Sequence, residues 1–400
     1  MSSTLTAREI EINGVVQGVG FRPFLFVLAK KFNLSGQVSN TDSGVCLIVE
    51  GQDEKIEKFL TALKREKPNL AIIINMSVRE CRPKNRRTFK IIKSTGAKKR
   101  VTLISPDVAT CEDCLNEMNN PLDRRFEYPF INCINCGPRY TIIRDIPYDR
   151  PKTAMHAFTM CPACKKEYDN PLDRRFHAQP NACPVCGPQV TLTDHTGRAV
   201  ESDPVRAIDQ AAALLTEGSI LGVKGIGGFH LACHARNAES VIRLRRQKNR
   251  PHKPFAVMGR DVDALIPYVH LSEREKGALE SFQSPIVLLR QKRKTVQTGQ
   301  GIAREVALLN KNLGCMLPST PLHHLLLQKG PDILVMTSGN RSGYPLSIDN
   351  EDAVDAFSHI ADFFLLHNRD ICFGADDSVV RVMNRKPRFI RRSRGYAPLP

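Results

Sequence analysis

Apolar and polar residues alternate along "REIEING" (8–14), a period of two that predicts a strand. The pattern lengthens at "FRPFLFVLAKKF" (21–32), which reads as a helix with Arg22 as its second residue. "GQVSN" (36–40) and "GVCLIVEG" (44–51) predict two strands around a polar turn. "DEKIEKFLTALKRE" (53–66) is helical, acidic in its first turn and basic in its last, as the helix dipole favours. "AIIINMSVREC" (71–81) and "RRTFKIIK" (86–93) close the set. The order β-α-β-β-α-β is that of a ferredoxin-like α/β sandwich, in which the strand ending at Asn40 is expected beside the first. After a polar linker, "STGAKKR" (94–100), regular periodicity fades until about residue 204. A helix at 204–217, ended by Gly218, then opens a run of strands and helices. "SILGVKG", "FAVMG", "SPIVLLR", "DILVMTSGN" and "DFFLLHNRD" are its strands or strand ends. This third region predicts a twisted, mixed α/β sheet.

The fading middle, too poor in apolar patterning to fold on burial alone, is where eight of the 13 cysteines fall, in four Cys-x-x-Cys pairs. Cys111 and Cys114 precede Cys133 and Cys136 by 18 residues; Cys161 and Cys164 precede Cys183 and Cys186 by the same interval. The whole block repeats after 50 residues, with "NPLDRRF" at 120–126 and 170–176 and "CGP" at 136–138 and 186–188. Two thiolate knuckles complete a tetrahedron, so eight thiolates make two closed, structural Zn²⁺ sites. A redox dithiol would instead expect a thioredoxin-like βαβ around one pair. Spacing is met equally by quartets closed within each repeat or crossed between repeats. His156, His177 and His195 are not needed as ligands. Cys46, Cys81, Cys233, Cys315 and Cys372 read as incidental or buried residues. In "LDRRF", Asp123 and Asp173 are expected to pair with their neighbouring arginines and pin the fold.

Length suits two to four domains. The chain contains no apolar run of 18 residues, which argues against a membrane span. "MSSTLTAREIEING" lacks the features of a signal peptide, and the chain reads as cytoplasmic. A net charge of +17 points to an anionic partner. Trp is absent and the basic residues are not interleaved with aromatics, so nucleic acid is not the expected ligand. Phosphate-bearing small molecules account for the arginines equally well.

Two segments carry anion chemistry. In "GVVQGVGFRPF" (14–24), Gln17, Gly18, Val19 and Gly20 lie between a strand and a helix. Glycines there let successive N–H groups converge at a helix start, and Arg22 adds a planar, permanently charged fork. A tight turn with a solvated arginine meets the same spacing. In "LRRQKNRPHKP" (244–254), Lys248, Arg250 and Lys253 surround a proline that enforces extended backbone, a group that could aim cations at a triphosphate. Ser338 and Asn340 of "TSGNRSG" sit at a strand's carboxyl end, where ligands of open α/β sheets gather. "KGIGGFHLACHA" (224–235), starting at Lys224, is glycine-rich but neither a P-loop nor a dinucleotide fingerprint.

"VQGVGFR" with "GQVSNTDSGV" resembles acylphosphatase. The Lys248-x-Arg250-Pro251 and Ser338-x-Asn340 elements resemble the YrdC/Sua5 family, whose members bind ATP and form acyl-adenylates. The order of these regions around the paired cysteine repeats resembles the HypF carbamoyltransferases of [NiFe]-hydrogenase maturation. "YPFINCINCGPRYTII", "PLDRRFHAQPNACP", "KGIGGFHLAC", "VMTSGN", "DDSVVR" and "RRSRGY" extend the likeness along the chain. The resemblance implies an acylphosphatase-like domain over 1–94, a small two-zinc, four-cysteine-per-site ribbon domain over 95–200 and a YrdC-like ATP-binding domain over 201–400.

It further implies that Arg22 and the loop 17–20 hold a phosphate while Asn40 positions water, as catalytic residues for cleavage of carbamoyl phosphate. Lys224, Lys248, Arg250, Lys253, Ser338 and Asn340 would then serve ATP with Mg²⁺, forming carbamoyl-adenylate. The implied partner is a HypE-type maturation protein, whose terminal cysteine receives the carbamoyl group; no membrane partner is implied. Two departures stand out. Where the family reads Arg-x before "DDSVVR", this chain has Gly374-Ala375, which would weaken adenylation if that arginine touches phosphate. The family also continues into a transferase domain with a histidine metal site, whereas this chain ends at "YAPLP", so the first two half-reactions are expected without the last. The rival readings are a threonylcarbamoyl-adenylate synthase acting for tRNA, which leaves the acylphosphatase-like region idle, and a zinc-ribbon nucleic-acid binder.

Overall fold

The computed structural model describes residues 5–94, 103–292, 301–308, 310–341 and 343–399. Of the linker expected at 94–100, only Ser94 lies within the described residues. The first region runs β1 (Thr6–Val15), α1 (Phe21–Lys31), β2 (Ser35–Thr41), β3 (Gly44–Gly51), α2 (Asp53–Glu66), β4 (Ile72–Cys81) and a short β5 (Phe89–Ile91). Both helices lay an apolar stripe on one sheet face: Leu25, Leu28 and Ala29 from α1, and Ile56, Phe59 and Leu63 from α2, pack with Ile10, Ile12, Val38 and Leu47.

Strand order is β4-β1-β3-β2-β5. The strand carrying Asn40 therefore does not lie beside the first, contrary to expectation. Only positions 42 and 43 separate β2 from β3, so the two form an antiparallel hairpin with Asn40 opposite Val45. The other edge of β3 then takes β1.

In the cysteine-rich region, two short helices, α3 (Glu112–Met118) and α4 (Pro162–Asp169), each begin directly after the first cysteine of a repeat. The two copies brace each other. Arg124 donates to Glu167 Oε1 at 3.2 Å and Cys164 Sγ at 3.2 Å, and fifty positions on Arg174 donates to Glu117 Oε1 at 2.7 Å and Cys114 Sγ at 3.1 Å. Arg125 and Arg175 cross in the same way, to Glu167 and Glu117. Asp123 and Asp173 pin the turns differently from expectation: each accepts from a backbone amide, of Arg125 and Arg175, at 2.7 and 2.8 Å. The guanidinium groups are left free to reach the opposite repeat. The symmetry breaks at Phe176, which leaves its own repeat to pack edge-on against Phe26, 5.5 Å away, inside the first region's core.

The third region is a 12-stranded mixed sheet. Its strands are β6 (Val190–Asp194), β7 (Ala199–Glu201), β8 (Leu221–Lys224), β9 (Phe229–His234), β10 (Ala256–Gly259), β11 (Val269–His270), β12 (Ile286–Gln291), β13 (Asn312–Met316), β14 (Ile333–Ser338), β15 (Phe363–His367), β16 (Val379–Met383) and β17 (Lys386–Arg391). The order is β17-β16-β12-β13-β10-β14-β9-β8-β15-β6-β7, with β11 pairing β12. Strands β6 and β7 belong to this sheet through the pairing of β6 with β15, although their residues precede position 201 in the chain or end on it. Helices α5 (Pro204–Glu217), α6 (Ala238–Gln247), α7 (Glu273–Leu279), α8 (Pro321–Lys329) and α9 (Asn350–Phe357) connect or flank the strands. Gly218 ends α5 at φ 99°, a left-handed position suited to glycine.

The finger region shares a core with this sheet: Tyr128, Phe130, Ile131 and Ile142 pack in one cluster with Leu325 and Leu365. No helix among the described residues is long and apolar enough to cross a membrane.

Candidate functional site

Strand β1 delivers the loop 16–20 to the start of α1. Gly18 and Gly20 both adopt φ of 72°, and Gly20 caps α1 without a side-chain bond. No hydrogen bond among the described residues takes the amides of Gly18, Val19, Gly20 or Phe21. A Cβ on Gly18 would stand 2.7 Å from Ser105 Oγ, itself buried and unpaired. The unbonded amides of Gly18, Gly20 and Phe21 and the side chain of Arg22 line one hollow, with the unpaired Ser105 hydroxyl close to Gly18, a donor set suited to an oxyanion.

The finger region builds the other wall. Arg22 donates to Asp149 Oδ1 at 2.8 Å, and Ser94 Oγ also bonds that carboxylate. Asn40 is fully buried; its Nδ2 donates to Tyr148 O at 3.5 Å, leaving Oδ1 without a partner. Gln17 lines the same hollow, with its side chain engaged elsewhere. Its Nε2 is spent on Thr41 O and Gly44 O, both at 2.7 Å, and its Oε1 accepts from Tyr148 N at 2.9 Å. Gln17 thus ties the loop, the β2–β3 hairpin and the finger region together. Arg139, not singled out from the sequence, donates to Gly18 O at 2.8 Å and holds the loop from above. Its own segment is fixed by buried Asp107, which accepts from the amides of Arg139 and Thr141. Arg22 bonds Asp149 and Asn40 bonds Tyr148 O, so both bear on the segment Tyr148–Asp149.

Each cysteine quartet closes within its own repeat. Sulfur–sulfur separations are 3.6 Å for Cys111–Cys133, 3.9 Å for Cys133–Cys136 and 3.5 Å for Cys114–Cys136. The second set gives 3.8 Å for Cys161–Cys183, 3.8 Å for Cys183–Cys186 and 3.6 Å for Cys164–Cys186. A tetrahedral Zn²⁺ with bonds of about 2.3 Å needs edges of about 3.8 Å, so both quartets fit that ion. Four thiolates per site leave no open position. His156, His177 and His195 stand outside both sets.

A third constellation lies at the end of β14. Arg250, Lys253 and Ser338 line a cavity of about 430 Å³ together with Thr337, Asp377 and Arg391, a volume typical of small-molecule sites. Lys248 Nζ does not enter the cavity lining; it donates to Ser338 O at 2.9 Å and Asn340 O at 3.0 Å, holding the "TSGN" turn closed. Burial, reinforced by Arg250, pulls its amine down to about 8. Asn340 Oδ1 accepts from Ser338 Oγ at 2.8 Å. Asp377 accepts from Arg394 Nε at 2.8 Å and pairs with His230 Nε2 at 2.9 Å, so the "DDSVVR", "RRSRGY" and "GGFHLAC" segments meet at this cavity. Lys224 stands apart from the group. It lines a separate hollow with His367 and Arg369, and burial next to Arg369 brings its amine to about 8. Gly374 is exposed, and a Cβ there would meet only ordinary contacts.

Family models match in the order the regions occur: acylphosphatase over residues 8–91, HypF finger over 110–143 and 160–193, and telomere recombination (the Sua5–YciO–YrdC model) over 213–393. "Carbamoyltransferase HypF" of Synechocystis sp. is 44% identical over 391 residues, which are 98% of this chain and 50% of that protein. "Probable carbamoyltransferase HypF" of Methanocaldococcus jannaschii is 46% identical over 394 residues, again 98% of this chain and 50% of that protein. A crystal structure of full-length HypF in the phosphate- and nucleotide-bound form superposes with a TM-score of 0.93 at 47% identity, covering 99% of this chain and 51% of that one. The chain spans about half the length of the curated relatives it matches. Its three regions, two four-cysteine sites and glycine–arginine loop, in this order and at this identity, make the chain a member of the HypF family.

Proposed function

We propose that the chain cleaves carbamoyl phosphate to carbamate and activates the carbamate with ATP. The observation that carries the reading is the grouping of Arg22 with the unbonded amides of Gly18, Gly20 and Phe21 on one hollow, whose wall residue Tyr148 is bonded from behind by buried Asn40 with Oδ1 left unpaired. The amides and Arg22 bind the phosphoryl oxygens through charge-assisted bonds. Asn40 Oδ1 accepts a hydrogen bond from water and aims its lone pair at the bound phosphoryl group. The water oxygen bonds to phosphorus, the bond from phosphorus to the bridging oxygen breaks, carbamate leaves with the electron pair, and the water's proton passes to a phosphoryl oxygen. Carbamate is short-lived in water, so a second site on the same chain shortens the route to its capture.

Capture takes place at the 430 Å³ cavity. A carbamate oxygen attacks the α-phosphorus of ATP, the bond to the β-phosphate breaks, and pyrophosphate departs, leaving carbamoyl-adenylate. Arg250, Lys253 and Arg391 offset the charge that develops, with Mg²⁺ on the phosphates. Ser338 hydrogen-bonds at the turn that Lys248 holds shut. The acceptor of the carbamoyl group is the terminal cysteine of a HypE-type maturation protein, which places the reaction in cyano-ligand synthesis for a hydrogenase iron. The two Zn²⁺ sites act structurally, holding Tyr148 and Asp149 over the first hollow.

The test is ATP–pyrophosphate exchange with and without carbamoyl phosphate. Exchange that needs carbamoyl phosphate, and is lost in Arg22→Ala, is the expected result. Exchange driven instead by threonine and bicarbonate would replace this reading with threonylcarbamoyl-adenylate synthesis.

A further inference from the structure

Both zinc quartets take a hydrogen bond from the repeat they do not belong to. Arg174 of the second repeat donates to Cys114 Sγ of the first quartet at 3.1 Å, and Arg124 of the first repeat donates to Cys164 Sγ of the second at 3.2 Å. Among the described residues, neither arginine bonds a sulfur of its own repeat. The adjoining arginines reach the other repeat's knuckle. Arg175 Nε donates to Asn132 O at 3.0 Å, one residue before Cys133, and Arg125 Nε donates to Ala182 O at 2.9 Å, one residue before Cys183.

Four thiolates leave a Zn²⁺ site with net negative charge. A guanidinium N–H on one sulfur offsets part of that charge and fixes the sulfur's direction. Outer groups of this kind change metal affinity about 10- to 100-fold. Each arginine holds its position only while its own turn is folded, and those turns hang on the helices that carry Cys114 and Cys164. Glu127 N, just past the first turn, donates to Met118 O of α3 at 2.9 Å; His177 N, just past the second, donates to Tyr168 O of α4 at 3.0 Å. Helices of 7 and 8 residues are too short to hold alone, so metal bound at their first turn orders them.

We infer that the two Zn²⁺ sites are coupled: a filled quartet folds its own turn, that turn's arginine prepares the other quartet, and each ion raises the affinity for the other about tenfold. Arg124 and Arg174 are positioning residues, each acting on the ion of the opposite repeat. The coupling bears on the Arg22 hollow, which is lined by Cys133 and Ile134 from the first repeat and by His177 and Gln179 from the second. Paired filling sets both stretches of that wall together.

The zinc-loaded chain, equilibrated in buffers of falling free zinc and weighed by native mass spectrometry, tests the coupling. Two independent, equal sites leave about half the chains with one ion at half-saturation, and a tenfold coupling leaves about a quarter. A one-ion fraction clearly below half is the expected result; half or more overturns the proposal. Arg174→Met should weaken the first quartet about tenfold and Arg124→Met the second, read by which cysteines a thiol-alkylating reagent labels first in the same buffers. Labelling that starts in the substituted residue's own repeat overturns the crossed assignment. Cys233 and Cys315, fully buried in the third region's sheet, become labelled only if the whole chain opens. Where they do, Arg174→Lys and Arg124→Lys, which keep the charge, replace the Met variants. Each should shift the opposite quartet in the same direction by a smaller factor, and no shift there counts against the proposal.

Discussion

The guanidinium of Arg22 meets the Asp149 carboxylate at 2.8 Å, across 127 residues of chain. The cation of the glycine loop is therefore already neutralised by the finger region, and an incoming phosphate competes with Asp149 for it. Asp149→Asn removes the competing charge. Inorganic phosphate should bind about fivefold more tightly to that variant, roughly 1 kcal/mol, as measured by calorimetry or by product inhibition. Weaker binding would instead make Asp149 a support for Arg22.

The finger region that carries the zinc sites is joined to the first hollow through Tyr148, Asp149 and Arg139. Cys111→Ser should lower zinc from two ions to one per chain, read by elemental analysis. Because Arg174 of the other repeat bonds Cys114 Sγ, the loss should also loosen the intact repeat. Phosphate release from carbamoyl phosphate should fall with the zinc, since the hollow loses one wall. Full hydrolysis by a chelated chain would refute the coupling.

Arg125 is 1% exposed and serves Glu167, Asn181 and the carbonyl of Ala182. Arg125→Met should cost about 3–5 kcal/mol in urea unfolding, because it strands buried partners. Arg175→Met, its counterpart on Glu117, should cost a similar amount. Unequal costs would show that the two halves of the brace carry different loads.

Lys248 gives a pH signature. Its amine titrates near 8 in the folded chain, against an ordinary value of 10.5. Between those values the unfolded chain holds the extra proton, so this group makes the fold more stable as pH rises from about 8 to 10.5. Triphosphate binding needs positive charge here and should weaken over the same rise. Lys248→Met should flatten the pH dependence of nucleotide affinity; an unaltered slope would assign it to another group, Arg250 first, which lines the cavity and is drawn down by burial to about 10.

Position 374 is open to a side chain. Gly374→Arg should leave stability within about 0.5 kcal/mol, as for other exposed sites, and should tighten nucleotide binding if the family's arginine touches phosphate. Unchanged binding would remove the expectation that glycine weakens adenylation.

Much of the fold was legible in order because each element carries its own period. The helix at 53–66 is bounded as its charge pattern predicts, and Gly218 ends α5 through a left-handed turn. The cysteine spacing determined two tetrathiolate sites, since ligand chemistry is local. Strand adjacency was not legible. Asn40 reaches Tyr148 from β2 although β3 separates that strand from β1, because a tight hairpin leaves β3 no other place.

What the sequence determined by itself is the identity of three regions and the residues of the glycine–arginine loop. What only the tertiary structure decided is which groups face each other. Asp149, Tyr148 and Arg139 bear on the first hollow and its loop from more than a hundred residues away, Lys224 stands outside the cavity at the end of β14 in a space with Arg369, and the zinc quartets close within repeats while their arginines cross. Periodicity and motif spacing report interactions between near neighbours in the chain. Long-range pairs between single charged or polar side chains leave no such period, and burial alone brings them together.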